Sequence, residues 1–112
     1  MGKPIPDDVV YCVIDSVYYD ENRMPATEFR VIRGKVKSII HGGYTTYECA
    51  FENAGANNLR FPQLKDFGRL FFFDMDEAVK AADKICNNYD KKWEEIINQK
   101  VRRTYLLEMQ QK

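Results

Sequence analysis

From Asp74 to the C-terminus the chain contains neither glycine nor proline, so nothing in its backbone chemistry stops a helix once one has begun. The start is marked. Asp74 is a good N-cap, Glu77 follows three residues later, and Asp76 places a negative charge where the helix dipole favours it. Met75, Val79, Ala82, Cys86, Tyr89, Trp93 and Ile96 then recur at alternating spacings of four and three, which lines one side of a helix. The next members of that series are Lys100 and Arg103, so the apolar stripe stops and shifts to Ile97, Val101 and Tyr105. A helix running from Asp74 to about Gln110 is roughly 50 Å long, whereas strands of ordinary length span about 20 Å. Its second half must fold back, pair with another chain or protrude. Asn87-Asn88 is the place for a break, because asparagine is a poor interior residue and a fair cap.

The preceding residues read as strands. Prolines 4 and 6 with Asp7-Asp8 suggest a short mobile lead-in, and Val9–Tyr19 is dense in β-branched and aromatic residues. Residues 20–26 carry turn formers and a proline and read as a loop. From Phe29 to Ile40 the pattern alternates, with Ile32, Val36 and Ile40 on one side and Arg33, Lys35 and Lys37 on the other, and Gly34 hints at a bulge or bend. His41-Gly42-Gly43 supplies a tight reversal into a third strand, Tyr44–Phe51. After a turn at 52–58, Leu59–Leu64 forms a short strand that Pro62 restricts to an edge or an end, and Gly68–Phe73 forms a fifth. Its consecutive phenylalanines cannot share a face, so both faces of that strand should be covered.

These elements predict an α+β fold: a small, curled, five-stranded antiparallel sheet resembling an SH3-like partial barrel, followed by a long C-terminal helix or helix pair. The 112 residues, 45% of them hydrophobic, suit a single domain, with sheet over 9–73 and a helical region over 74–110. Seventeen basic and seventeen acidic residues cancel, so no global field draws the chain to nucleic acid or membrane and any such attraction must be local. Cys12, Cys49 and Cys86 are odd in number and widely spaced, which predicts buried, reduced thiols. The N-terminus lacks the apolar stretch of a signal peptide, and the expected location is the cytoplasm.

Three segments carry a resemblance: Val9-Val10-Tyr11-Cys12-Val13-Ile14, Arg33-Gly34-Lys35-Val36, and Asp66-Phe67-Gly68-Arg69-Leu70-Phe71-Phe72-Phe73-Asp74-Met75-Asp76-Glu77-Ala78. Across residues 9–86 the chain resembles a group of short proteins from phages and mobile elements of Gram-positive gut bacteria. That group ends its sheet with a glycine, a basic residue, an apolar strand and a capped helix beginning Glu-Ala. The chain departs from the group in its long tail after Cys86. The resemblance implies an accessory or host-takeover factor, including an inhibitor of a defence system such as CRISPR, and carries no site residues with it.

Catalysis has little to build on. The one histidine, His41, lies beside the glycines of a turn with no nucleophile signature near it, and no metal-ligand spacing or phosphate-binding glycine loop is present. The expectation is a protein without catalytic residues, cofactor or metal. Two surfaces stand out as binding candidates. The first is the distal helix, where Trp93, Ile96, Ile97, Val101, Tyr105, Leu106 and Met109 form apolar surface; these residues either pack on their own sheet or meet a second copy or another protein, and a homodimer through the helix is the corresponding expectation. The second is the row Arg33, Lys35 and Lys37, with Tyr44 and Tyr47 across the hairpin, which suits successive phosphates or an acidic protein surface. An ordinary solvated sheet face, with lysines guarding an edge, accounts for the same row. The sequence thus favours a non-enzymatic protein-interaction module, with a nucleic-acid binder as the rival and a purely structural domain as the third reading.

Overall fold

The computed structural model describes residues 3–52, 58–97 and 100–106, and at 90–97, 100 and 101 the backbone alone. Strands β1 (Val9–Tyr19), β2 (Pro25–Ile40), β3 (Thr46–Phe51), β4 (Leu59–Arg60) and β5 (Phe71–Phe72) precede one helix, α1 (Met75–Ile97), and a last strand, β6 (Lys100–Arg103). The first five strands form an antiparallel sheet in the order β4-β3-β2-β1-β5, an open sheet that does not close into a barrel. The expected five-stranded antiparallel sheet followed by a long helix is the fold observed.

Sheet and helix define two cores, one on each face. On one face Val13, Phe29, Val31 and Phe72 meet Met75, Ala78, Val79, Ala82 and Cys86 of α1. On the other, Val10, Cys12, Ile32, Val36, Tyr47, Cys49 and Phe51 enclose Phe67 and Phe71. The adjacent phenylalanines of β5 separate as their alternation requires, Phe72 towards the helix and Phe71 into the second core. Phe67 follows a 3-10 turn (Leu64–Asp66) and closes the second core, edge-on to Tyr47 at 5.9 Å and stacked on Phe73 at 5.2 Å. Gly68, at φ 91°, makes the turn that returns the chain to β5. Three elements are therefore shorter than their apolar composition suggests, since Tyr44 and Thr45 belong to the β2–β3 turn, residues 61–70 form two isolated bridges, a 3-10 turn and a further turn in place of strand, and β5 keeps two residues.

The helix starts as expected, with the Glu77 N–H donating to Asp74 Oδ2 at 3.2 Å. Its end differs. The chain leaves the helix at Ile97 and returns as β6, which runs parallel to the start of β2 with Ala26 against Lys100 and Phe29 against Arg103. Among the described residues of the 74–110 region, α1 ends at Ile97, residues 100–103 are strand, and the backbone is helical again at Tyr105 and Leu106. Where the stripe fails the chain pairs with β2, and α1 supplies the long crossover that a parallel pairing needs. The helix continues through Asn87-Asn88, and Asn87 Oδ1 accepts a 2.8 Å bond from the Arg103 guanidinium. β6 also explains why β2 begins at Pro25 instead of Phe29: residues 26–29 are sandwiched between β1 and β6, and a proline is tolerated at a strand's first position.

Two details of β2 set the geometry of its outer face. Gly34 is a point of close approach, because a Cβ there would lie 2.3 Å from the Ala50 carbonyl oxygen and 2.6 Å from the Phe51 ring. The bulge itself falls between Val36 and Ser38, where Lys37 is the extra residue. It inverts the alternation, so that Ile39 packs against the second core and Ile40, expected inside, is exposed. The lead-in is pinned as well: Pro4 is buried, the Asp7 N–H donates to the Val36 carbonyl at 2.8 Å, and the Val36 N–H donates to Asp8 at 2.9 Å.

Candidate binding surface

Among the described residues the helix covers only part of its side of the sheet: its core draws on β1, β2 and β5 and on no residue of β3 or β4. The second half of β2, with β3 and β4, therefore presents an open face on that same side. Lys35 lies opposite Ala50, which lies opposite Leu59. Beyond the bulge, Ser38 lies opposite Glu48 and its hydroxyl donates to Glu48 Oε1 at 3.1 Å. The register set by Cys49 against Arg60 and Thr46 against Gln63 places Phe61 opposite Glu48, on the same outer face, where it is 52% exposed. Ile40 ends the row.

Arg33, Lys35 and Lys37 are exposed side by side on this face, as their alternation predicts. Among the described residues none of the three takes part in an ion pair. They border a shallow groove of about 390 Å³ whose floor is Gly34, Val36 and Ala50 and whose rim adds Asp7 and Glu52. The missing Cβ of Gly34 lets β3 approach, and the bulge at Lys37 sets Ser38 opposite Glu48 next to the third cation.

The proposed aromatic partners separate. Tyr44 is exposed in the β2–β3 turn, but Tyr47 is 4% exposed and belongs to the second core, so it has no free ring face. The alternation that turns Cys49 and Phe51 inward turns Tyr47 inward too. Phe61 takes its place as the aromatic on this face. Beside Pro62 it carries no sequence signal of its own, and only the pairing of β4 with β3 reveals it.

The distal stripe also divides. Tyr105, expected at an interface, is completely buried in the core of its own domain, where its phenol donates to Asp83. Burial and that hydrogen bond raise the phenol's pKa above its ordinary value. Leu106 is exposed. The side chains of Trp93, Ile96, Ile97 and Val101, and the whole of Met109, lie outside the described residues.

His41 is exposed in its turn, and all three cysteines are buried. Burial pushes the Cys12 thiol up to about 12 and the Cys49 thiol up to about 11, so neither is a ready nucleophile at neutral pH. Among the described residues no cluster of histidine, cysteine and carboxylate side chains has the arrangement of a metal site, and no helix is long and apolar enough to cross a membrane. No protein-family model, curated protein or solved structure matches the chain.

Proposed function

We propose that the chain is a non-enzymatic protein-interaction module that engages an acidic partner on the open face of β2, β3 and β4. The observation that carries this reading is the row of exposed cations Arg33, Lys35 and Lys37, without an ion pair among the described residues and set on the same surface as the exposed Phe61. Aromatic and arginine side chains at one site are the usual anchors of protein interfaces. Neighbouring members of the row are two residues apart on a strand, a separation of about 7 Å, and alternate residues of an extended acidic segment have the same pitch.

A nucleic-acid track is less well supported. Asp7, Glu48 and Glu52 intersperse the cations, which repels a continuous phosphate backbone, and the burial of Tyr47 leaves no paired stacking platform. The resemblance of residues 9–86 to phage and mobile-element proteins supplies a setting: an accessory factor that binds a host protein, a CRISPR component among the candidates.

The test is a quantitative comparison of the proteins captured from a Gram-positive host lysate by the wild type and by Arg33→Glu/Lys35→Glu/Lys37→Glu. Partners retained by the wild type and lost by the variant, with both proteins folded by circular dichroism, are the expected result. A capture pattern unchanged by the charge reversal contradicts the reading.

A further inference from the structure

The outer edge of β1 is half covered. β5 pairs with it only at Tyr11 and Cys12, and the Val13 N–H makes one more bond, to the Leu70 carbonyl at 2.9 Å. From Ile14 to Tyr19 the strand has β2 on one side and, among the described residues, no strand on the other. Because Val13 turns its N–H towards β5, the two-residue period turns the N–H and C=O groups of Asp15, Val17 and Tyr19 outward along that edge. The side chains are open too, with Val17 66% and Tyr19 74% exposed.

Natural sheets guard such edges with lysine, proline or a bulge. Residues 14–19 contain no lysine, arginine or proline, and β1 pairs with β2 along its whole length without a register shift. The edge is a template for another strand.

We infer that this edge pairs antiparallel with the same edge of a second copy of the chain, about a two-fold axis at Val17. In that register Val17 faces the partner's Val17, and Asp15 faces the partner's Tyr19. Every outward-turned N–H and C=O of the three residues then finds an acceptor or donor, and the exposed valine and tyrosine form cross-strand pairs. The neighbouring registers are worse. Centring on Ser16 sets Tyr19 against the partner's Val13, whose N–H is already bonded to Leu70, and centring on Tyr18 sets Asp15 against the partner's Glu21. Centring on Asp15 sets two carboxylates against each other, and centring on Tyr19 carries the pairing into the turn where Asp20 Oδ1 already accepts from the Asn22 and Met24 N–H groups. Self-pairing is thus favoured by the strand's own pattern, in which its single acid lies two residues from the centre. The inference stands apart from the acidic-partner reading, because the basic row is on a different part of the sheet.

Sedimentation velocity over the micromolar range tests it. The wild type is expected to pass from monomer to dimer with concentration. Val17→Lys places two ammonium groups face to face and is expected to leave a folded monomer across that range. Tyr19→Lys is expected to keep the dimer at low salt, because the new ammonium faces Asp15. Hydrogen exchange of the wild type supplies a second readout that needs no variant: the amides of Asp15, Val17 and Tyr19 gain protection as concentration rises. A wild type that stays monomeric, a dimer indifferent to Val17→Lys, or edge amides that exchange equally fast at every concentration overturns the inference.

Discussion

Tyr105 donates its phenolic hydrogen to Asp83 Oδ1, joining the residue just beyond β6 to the middle of α1. Arg103 supports the contact, with its guanidinium 4.0 Å from the same carboxylate oxygen and bonded to Asn87. The returning tail is therefore fixed to its own subunit by one buried ring and a short polar network. Tyr105→Phe keeps the ring and removes the bond, so chemical denaturation is expected to show a loss of about 1–2 kcal/mol. Tyr105→Ala also empties the site, and a loss of roughly 3–5 kcal/mol is expected. Equal effects of the two changes would mean that the hydroxyl, not the ring, secures the tail.

Gly34 makes a second, sterically defined prediction. Any side chain there collides with the Ala50 carbonyl oxygen and the Phe51 ring, and the backbone atom cannot rotate away. Gly34→Ala is expected to destabilise the fold by roughly 1–3 kcal/mol. It should also disturb the groove floor, visible as chemical-shift changes at Ala50 and Phe51. A variant as stable as the wild type would place β3 farther from β2 than it lies here.

The thiols predict an alkaline weakness. Cys12 and Cys49 ordinarily ionise at 9.0, and burial holds them protonated to about 12 and about 11. A group whose folded pKa is raised contributes fully below its unfolded value, and that contribution is lost as pH rises through the folded one. Above about pH 9 the unfolded chain releases protons that the native state retains, so stability falls by roughly 1 kcal/mol per pH unit for each thiol. Thermal unfolding midpoints should drop between about pH 9 and about pH 11, and Cys12→Ala should flatten the dependence. Tyr105, also raised, adds to the decline only above its ordinary value of 10.0.

Local chemistry made much of this fold legible. Val9–Tyr19 is a strand over its whole expected length, the Asp74 cap starts the helix, and the Phe71-Phe72 pair divides between two cores. What the sequence hid was non-local. Nothing near Lys100 says that it will lie beside Ala26, so the tail's return as a parallel strand depends on a crossover that periodicity does not encode. The bulge at Lys37 similarly reverses the expected sides of Ile39 and Ile40. The cationic row was readable because alternation alone orders it. Phe61 was not, because its place on the face depends on which strand β4 joins.

The open face of β2, β3 and β4 is tested most directly by titrating a fluorescent, alternating Glu-Thr peptide into the wild-type protein and Lys35→Glu, with a short oligothymidylate as the competing probe. The account predicts that the peptide binds the wild type at low salt, weakens as salt rises, binds tighter than the oligonucleotide and loses at least about tenfold in affinity on Lys35→Glu, or roughly 1.4 kcal/mol. A peptide that fails to bind at low salt, or binds both proteins equally, contradicts it.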